Sequence, residues 1–241
     1  MLAIKYYVLS NIDTDNQIKI VNQMSNSLSR CGEGTASFPV SIPGPAGALE
    51  GRVDCAGPGQ VEGAAVICHP HPQYGGTMQN KVVHTLAKSM SANGWTAVRF
   101  NFRGVGVSSG EYDHGIGEVD DAMAVVDWLQ AQQSSIPVVL AGFSFGAFIA
   151  LAVAAQIKPA ALITVAPPVR MFDFDKLEAV QCPWLLVQGD EDEIVDVRSV
   201  TSWVDSLEHP PRLEILHGSS HFFHGKLLDL RSLCDEFLTS F

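Results

Sequence analysis

The chain has 241 residues, 46% of them hydrophobic, and is therefore long enough to bury a sizeable core as one α/β domain. Its 15 lysines and arginines stand against 26 aspartates and glutamates, which gives a net charge of −11 without any basic run. This balance argues against a nucleic-acid partner and against docking on an anionic membrane surface, and favours an enzyme with an acidic surface.

The five cysteines occupy unpatterned positions and form no C-x-x-C pair. This usage indicates free thiols in a reducing compartment rather than a disulfide framework. No run of about 18 apolar residues predicts a transmembrane helix, and no membrane partner is expected. The opening residues are too polar after Ser10 to serve as a signal peptide. We therefore expect a cytoplasmic protein.

Residues 1–35 differ in composition from the rest of the chain. Asn, Ser, Asp and Gln dominate residues 11–30, and so few apolar side chains predict a poorly ordered N-terminal extension. A second methionine, Met24, offers an alternative start of translation. Residues 36–241 are expected to form a single domain.

From residue 36 onward, short β-prone runs alternate with segments of helical spacing. The predicted strands are residues 37–42, 49–55, 64–68, 96–100, 137–141, 161–165, 184–188 and 212–216. The predicted helices are residues 79–93, 117–133, 145–157, 197–207 and 226–241, with a weaker helix at 174–180. This order predicts an α/β fold with a mostly parallel sheet of about eight strands and helices on both faces. Chemistry in such sheets gathers in the loops that follow the carboxyl ends of the strands.

The loop after the fifth predicted strand reads GFSFG at residues 142–146, and the helical segment AFIALAVAAQ follows at once. A G-x-S-x-G pattern between a strand and a helix is typical of a nucleophilic serine on a sharp, strained turn. Glycines at both ends allow the strand and helix to approach closely. Without that context the pattern would indicate only a glycine-flanked loop serine. Ser144 is therefore the predicted nucleophile.

A serine hydroxyl becomes a good nucleophile when a histidine accepts its proton and a carboxylate orients that histidine. The strand at 184–188 runs into GDEDEIVD, which supplies the carboxylates. Asp192 is the predicted acid, because it lies far enough along the loop to turn toward a histidine. Asp190 and Asp196 are alternatives, although Asp196 also suits the N-cap of the next helix. A merely solvated acidic loop is the simplest other interpretation.

The last predicted strand runs into HGSSHFFH at residues 217–224. His221 is the predicted base, because it lies far enough from the strand to reach back over the sheet edge, whereas His217 ends the strand itself. The same histidines could form a metal site, but no partner carboxylate stands at a characteristic spacing. A glycine-rich stretch at 103–110 lacks the Walker lysine and the dinucleotide spacing. We expect neither a metal nor a cofactor.

The third predicted strand ends in HPHPQYGG at residues 69–76, which we call the His–Pro loop. In α/β hydrolases this position supplies one backbone donor to the oxyanion, and the amide after the nucleophile supplies the other. Phe145 N–H is thus the first predicted donor. His71 N–H is the second, because the next residue is proline, with Gln73 and Tyr74 as alternatives. An H-x-H metal site would need further ligands nearby, and none follows in the sequence.

Several segments together resemble a bacterial family of small, lidless α/β-hydrolase-superfamily proteins, related to carboxylesterases and dienelactone-hydrolase-like enzymes. They are HPHPQYGGTMQNKVVHTLA, RFNFRGVGVSSGEYDHGIGEVDDA, GFSFGAFIA, GDEDEIV and GSSHFFHGKL. The resemblance covers about residues 36–241 and implies a triad of Ser144, Asp192 and His221, with Asp192 as the aspartate of G-x-x-D-x-x-V. Dienelactone hydrolases use a cysteine nucleophile, and this chain has a serine there.

We therefore expect a serine hydrolase, a carboxylesterase, that cleaves ester or thioester bonds of small acyl substrates through an acyl-enzyme. Residues 166–180 are too few for a large cap, so an open cleft suited to short acyl chains is predicted. A non-catalytic hydrolase fold that binds a small molecule remains an alternative, as do a peptidase and an acyltransferase that use the same triad.

Overall fold

The structure is a computed structural model that describes residues 28–32, 34–57, 59 and 61–240. Most of the predicted N-terminal extension, including Met24, lies outside the described residues.

Eight strands form one sheet, and six helices surround it within the described residues. The strands are β1 (Ser37–Gly44), β2 (Gly47–Asp54), β3 (Gly63–Cys68), β4 (Trp95–Phe100), β5 (Val138–Phe143), β6 (Ala161–Val165), β7 (Trp184–Gly189) and β8 (Arg212–Leu216). The helices are α1 (Ser29–Gly32), α2 (Lys81–Ala92), α3 (Ile116–Gln132), α4 (Phe145–Ala154), α5 (Val197–Asp205) and α6 (Leu227–Leu238). Two 3₁₀ turns add Pro72–Tyr74 and Phe174–Lys176. In this part of the chain, no helix has the length and apolar character that a membrane crossing requires.

The strands lie in the order β1-β2-β4-β3-β5-β6-β7-β8. β2 runs antiparallel to β1 and β4, and every other neighbouring pair is parallel. This confirms the predicted mostly parallel sheet of about eight strands. The connection from β6 to β7 holds only the turn Phe174–Lys176, so no large cap is inserted there. The weaker helix predicted at 174–180 is reduced to that 3₁₀ turn.

Helices cover both faces of the sheet and bury two separate apolar layers. α3, α4 and α5 pack on one face, and α2 and α6 pack on the other. Along β5, Val138 and Leu140 contact the first layer, whereas Val139 and Ala141 contact the second. Alternate side chains of a strand point to opposite faces, so a central strand must be apolar at every position. This requirement explains the unbroken apolar run that leads to Ser144.

The cysteines correct one prediction. Cys31 and Cys55 form a disulfide, with their Cα atoms 5.4 Å apart, so the expectation of free thiols is wrong for this pair. Their separation of 24 residues carries no recognisable signature, and only the path of β2 brings the two together. Cys68, Cys182 and Cys234 are free, and the first and last of them are buried. Because of this disulfide, the cysteines no longer support the prediction of a reducing compartment.

Residues 28–32, which belong to the predicted extension, pack on the domain. Leu28 and Cys31 contact the first apolar layer, and the Leu28 N–H donates to Gln132 Oε1 at 3.1 Å. The Arg30 guanidinium lies 4.2 Å from the centre of the Phe38 ring, a cation–π contact. The domain boundary at residue 36 stays a prediction, but these contacts attach the preceding residues to the sheet.

Candidate active site

Ser144 lies on the sharp turn between β5 and α4. Its backbone has φ 54° and ψ −120°, a conformation that is strained for a residue with a side chain. The Ser144 N–H donates to Val165 O at 2.8 Å and fixes the turn against β6. A Cβ atom on Gly142 would overlap the carbonyl of Gly146, and one on Gly146 would overlap the carbonyl of Cys68. The glycines are therefore required by contact between backbones.

His221 connects Ser144 to Asp192. Its Nε2 lies 3.1 Å from Ser144 Oγ, and its Nδ1 lies 2.8 Å from Asp192 Oδ2. A carboxylate only accepts hydrogen bonds, so Nδ1 of the neutral imidazole carries the proton and Nε2 is left to accept from the serine hydroxyl. The side chains of His221 and Asp192 are only 3% and 0% exposed, which shields this pair from water.

Asp192 is held by four donors. Oδ1 accepts from the N–H groups of Ile194 at 2.9 Å and Val195 at 2.7 Å, and Oδ2 accepts from Gln188 Nε2 at 3.0 Å as well as from His221. Burial alone raises the pKa of this carboxyl, but the hydrogen bonds outweigh burial and hold its pKa below the usual range. Asp192 is therefore an anion whose orientation is fixed.

The other acidic candidates occupy different positions. Asp190 accepts from Gly218 N–H and lies 2.7 Å from Nδ1 of His217, whose side chain is 87% exposed. Asp196 accepts from Arg198 N–H and is the N-cap of α5, as its position in the sequence predicts. Of the candidate acids and bases, only Asp192 and His221 join Ser144 in one hydrogen-bonded row.

Two residues that sequence reasoning missed support this row. Gln188 is the next-to-last residue of β7; its Nε2 donates to Asp192 Oδ2 and also to Val195 O at 3.1 Å. Glu193 accepts from the backbone N–H of His221 at 3.1 Å. The sequence offers one signal for the role of Gln188, which is that this polar residue lies near the end of an otherwise apolar strand.

The predicted oxyanion donors lie on adjacent loops. Within the described residues, neither Phe145 N–H nor His71 N–H donates to another group of the protein. Phe145 is the first residue of α4, where N–H groups have no partner in the helix. The alternatives are engaged elsewhere: Gln73 N–H donates to His71 Nδ1, and Tyr74 N–H donates to His71 O. The rings of Phe145 and His71 are 5.0 Å apart.

The His71 side chain has a defined proton position. Its Nδ1 accepts from Gln73 N–H at 3.2 Å, so the neutral ring carries its proton on Nε2, which lies 3.1 Å from the Tyr112 hydroxyl. Burial, aided by His114, lowers the pKa of His71 and favours the neutral ring. Tyr112 thus anchors the His–Pro loop, because its hydroxyl oxygen accepts a hydrogen bond from His71 Nε2–H. No sequence pattern indicated this contact.

The neighbouring His69 has a structural role. It is fully buried, with Nδ1 2.6 Å from Pro70 O and Nε2 accepting from Phe102 N–H at 3.1 Å. Burial lowers its pKa to about 4, so the ring is neutral. Both ring nitrogens are engaged, which leaves none for a metal. Among the described residues, no three His, Cys, Asp or Glu side chains gather into a possible metal site.

A serine on a strand–helix elbow at the carboxyl edge of this sheet defines the class of α/β serine hydrolases. Residues 52–176 match the model of the family described as X-Pro dipeptidyl-peptidase (S15 family). The chain belongs to this family, within the α/β-hydrolase superfamily. The matched region includes Ser144 and the His–Pro loop, and ends before Asp192 and His221.

Two solved structures of similar length share the fold, and a further relative matches in sequence. XC6422 from Xanthomonas campestris, described as an α/β serine hydrolase without lid, is 43% identical, with a TM-score of 0.81 over 85% of this chain and 94% of that one. An α/β serine hydrolase homologue from Coxiella burnetii is 47% identical, with a TM-score of 0.80 over 83% and 96%. The uncharacterized protein RP471 of Rickettsia prowazekii is 37% identical over 209 residues, 81% of this chain and 86% of its own. These matches confirm the resemblance to small, lidless hydrolases.

Proposed function

We propose that this protein hydrolyses carboxylic ester or thioester bonds of small acyl substrates, with Ser144 as nucleophile, His221 as general base and Asp192 as the orienting acid. The supporting observation is the row of two hydrogen bonds, 3.1 Å from Ser144 Oγ to His221 and 2.8 Å from His221 to Asp192. These distances allow proton transfer without a large rearrangement.

In the first half of the reaction, Ser144 Oγ forms a bond to the carbonyl carbon while His221 Nε2 takes the hydroxyl proton. The carbonyl oxygen becomes an oxyanion, which the N–H groups of Phe145 and His71 stabilise. When the intermediate collapses, the bond to the leaving oxygen or sulfur breaks, and His221 delivers its proton to that atom. The acyl group is left as an ester on Ser144.

In the second half, water attacks the acyl-enzyme while His221 again takes the proton, and the carboxylic acid is released with Ser144 restored. Asp192 stays ionised throughout, and its negative charge stabilises the imidazolium that forms in both halves. Because Asp192 is buried, that attraction is stronger than it would be in water.

The shape of the site favours small substrates. In the part of the chain that the structure describes, no large cap is inserted between β6 and β7, because their short connection holds one 3₁₀ turn. An uncapped cleft buries only the part of the acyl group that contacts its walls. We therefore expect short acyl chains to be preferred over long ones.

A peptidase is the second candidate, because the family model that matches residues 52–176 is described as X-Pro dipeptidyl-peptidase. The same triad can cleave an amide, since it does not by itself select the leaving group. We rank the ester first because an alkoxide or thiolate leaves a tetrahedral intermediate more readily than an amine does, so an ester or thioester demands less of the same triad.

The test compares p-nitrophenyl acetate, phenyl thioacetate and an Xaa-Pro p-nitroanilide on the purified full chain. We expect ester and thioester turnover that is lost in Ser144→Ala and kept in Ser202→Ala, a matched change of an exposed serine on α5. A larger kcat/KM on the anilide than on the ester would favour the peptidase. If none of the three is turned over, the enzymatic proposal fails and the non-catalytic alternative is favoured.

A further inference from the structure

Phe222 places an aromatic ring directly beside the candidate base. It follows His221 in the chain, and the centres of the two rings lie 5.1 Å apart, with their planes almost perpendicular at 88°. The same ring lies 6.1 Å from the ring of Phe143, the residue that precedes Ser144. Phe222 therefore adjoins both the base and the strand end that leads to the nucleophile. The proposed mechanism gives this ring no part.

Phe222 differs from its aromatic neighbours in its exposure to solvent. Phe143, at 5.0 Å from the imidazole, and Phe223, at 6.4 Å from Phe143, are both fully buried. Phe222 is 40% exposed, although burial of its ring would be favourable. The side chain of His221 is itself only 3% exposed, so it offers a substrate little more than Nε2. The exposed ring beside it is an apolar surface that a group held at Nε2 can contact.

The chemistry of the triad determines which half of the substrate comes to this side. During acylation, His221 Nε2 takes the serine proton and then gives it to the leaving atom, which must therefore lie within hydrogen-bonding distance of Nε2. Aromatic rings attract one another at distances of about 4.5–7 Å between their centres. A ring joined to the leaving atom through one methylene can therefore contact Phe222 while the leaving atom bonds to Nε2.

The loop that carries the triad acid makes this side of the site negative. Three carboxylates flank that acid within residues 190–193, namely Asp190, Glu191 and Glu193. Glu193 accepts from the His221 N–H at 3.1 Å, and this hydrogen bond lowers the pKa of Glu193, which keeps it ionised at neutral pH. Lys226, the one lysine or arginine in residues 217–226, lies 3.6 Å from Asp229. A phosphate or carboxylate on the leaving group would be repelled here.

We propose that Phe222 is the specificity-determining residue on the leaving-group side, and that the substrates are esters or thioesters whose leaving alcohol or thiol is aromatic or apolar and carries no negative charge. This inference rests on the proposed function of the triad. It selects among the bonds which that function allows, because thioesters of a phosphorylated thiol are disfavoured. The ring acts in acylation alone, since the alcohol or thiol has left before water attacks.

The test compares methyl, benzyl and 4-carboxybenzyl acetate, which share one acyl group. Methanol and benzyl alcohol have nearly equal pKa values, so the benzyl-to-methyl ratio of kcat/KM reports the contact made by the ring. We expect this ratio to be about ten, because partial burial of the ring adds to the contact between rings. The 4-carboxybenzyl ester should be about threefold poorer than the benzyl ester. Salt at about 1 M should shrink that difference by screening the charges.

Variants of two residues test the two parts of the proposal. Phe222→Ala should reduce the benzyl-to-methyl ratio to about one-third or less of the wild-type value, and Phe222→Tyr, which keeps a ring, should retain at least half of it. Leu228→Ala removes an apolar side chain of α6 that is 78% exposed and should keep the wild-type ratio. Glu193→Gln keeps an acceptor for the His221 N–H and removes the charge, so it should raise the 4-carboxybenzyl-to-benzyl ratio about twofold. Glu208→Gln, at an exposed position before β8, should not.

The outcomes separate this inference from the proposed function. Equal kcat/KM for methyl and benzyl acetate, or an equal loss of both in Phe222→Ala, overturns the contact with the leaving group and leaves the triad in place. If Phe222→Ala does not fold, Phe222→Gln decides, because it keeps the length of the side chain and removes the ring. A 4-carboxybenzyl ester that equals the benzyl ester overturns the exclusion of negative charge. Absence of all ester turnover, p-nitrophenyl acetate included, with the wild-type chain folded, overturns both proposals.

Discussion

Replacing Asp192 by asparagine tests whether this carboxylate orients His221, because the two side chains have nearly the same volume. The N–H groups of Ile194 and Val195 can only donate, so they hold the asparagine oxygen at the present Oδ1 position. The asparagine NH₂ is then forced to the Oδ2 position, 2.8 Å from His221 Nδ1. There it donates to Nδ1 and drives the imidazole proton to Nε2, which can no longer accept the proton of Ser144.

The magnitude follows from the loss of that tautomer and of the buried charge that stabilises the imidazolium. In a serine triad, the equivalent aspartate-to-asparagine change lowers kcat by about 10⁴. This corresponds to about 5 kcal/mol of transition-state stabilisation. Gln188 cannot rescue the variant by turning over, because its NH₂ group also donates to the carbonyls of Gly189 and Val195.

The assay is turnover of p-nitrophenyl acetate under saturating conditions, with circular dichroism to show that the variant is folded. Asp190→Asn is the matched control, because Asp190 also accepts from a histidine and a backbone N–H but lies in the exposed pair with His217. We expect the control to stay within about twofold of wild type, since it changes only a hydrogen bond to a histidine whose side chain is 87% exposed. An Asp192→Asn variant within tenfold of wild type, or an equal loss in Asp190→Asn, would refute the assignment.

Three further predictions concern stability and the His–Pro loop. The folded pKa of His69, about 4, is below the unfolded value of about 6.5, so the unfolded chain binds the proton first as the pH falls. As the pH falls from 7.5 to 5, protonation of His69 in the unfolded chain should therefore lower the free energy of unfolding by about 2 kcal/mol. Urea titrations should show that this loss is absent in His69→Gln. Tyr112→Phe removes the hydrogen bond to His71 and should lower kcat by roughly threefold to tenfold. The control is Tyr74→Phe, which also alters a tyrosine against the His71 ring and should change kcat little. Equal effects of the two variants would contradict the anchoring role of Tyr112. Reducing the Cys31–Cys55 disulfide, which closes a loop of 24 residues, should lower the unfolding free energy by about 3 kcal/mol; no shift in the urea midpoint would contradict it.

Much of the fold could be predicted because local pattern and global architecture agree. The five central parallel strands are apolar at nearly every position, and each precedes a loop with glycine or polar residues. The turn that carries Ser144 could be predicted because glycines at 142 and 146, between a strand and a helix, indicate that the two elements approach closely. Asp192 and His221 could be selected by their distance from their strands, since loops at one sheet edge must converge.

What could not be predicted depends on contacts between segments distant in the chain. The Cys31–Cys55 pair depends on where β2 ends relative to α1, which no spacing rule encodes. Tyr112 reaches His71 across 41 residues, and its contact follows from how the loop before α3 folds over the site. Gln188 is a strand residue whose role appears only once the loop after β7 turns back on it.

The most direct measurement is to treat the purified protein with a fluorophosphonate and map the adduct by mass spectrometry. We predict one adduct per chain, on the peptide that contains Ser144, and none in Ser144→Ala. Labelling should slow by several orders of magnitude in His221→Ala, because the hydroxyl would lose its proton acceptor at 3.1 Å. An unlabelled wild-type chain, or an adduct on another residue that survives Ser144→Ala, would contradict the assignment of Ser144 as the nucleophile.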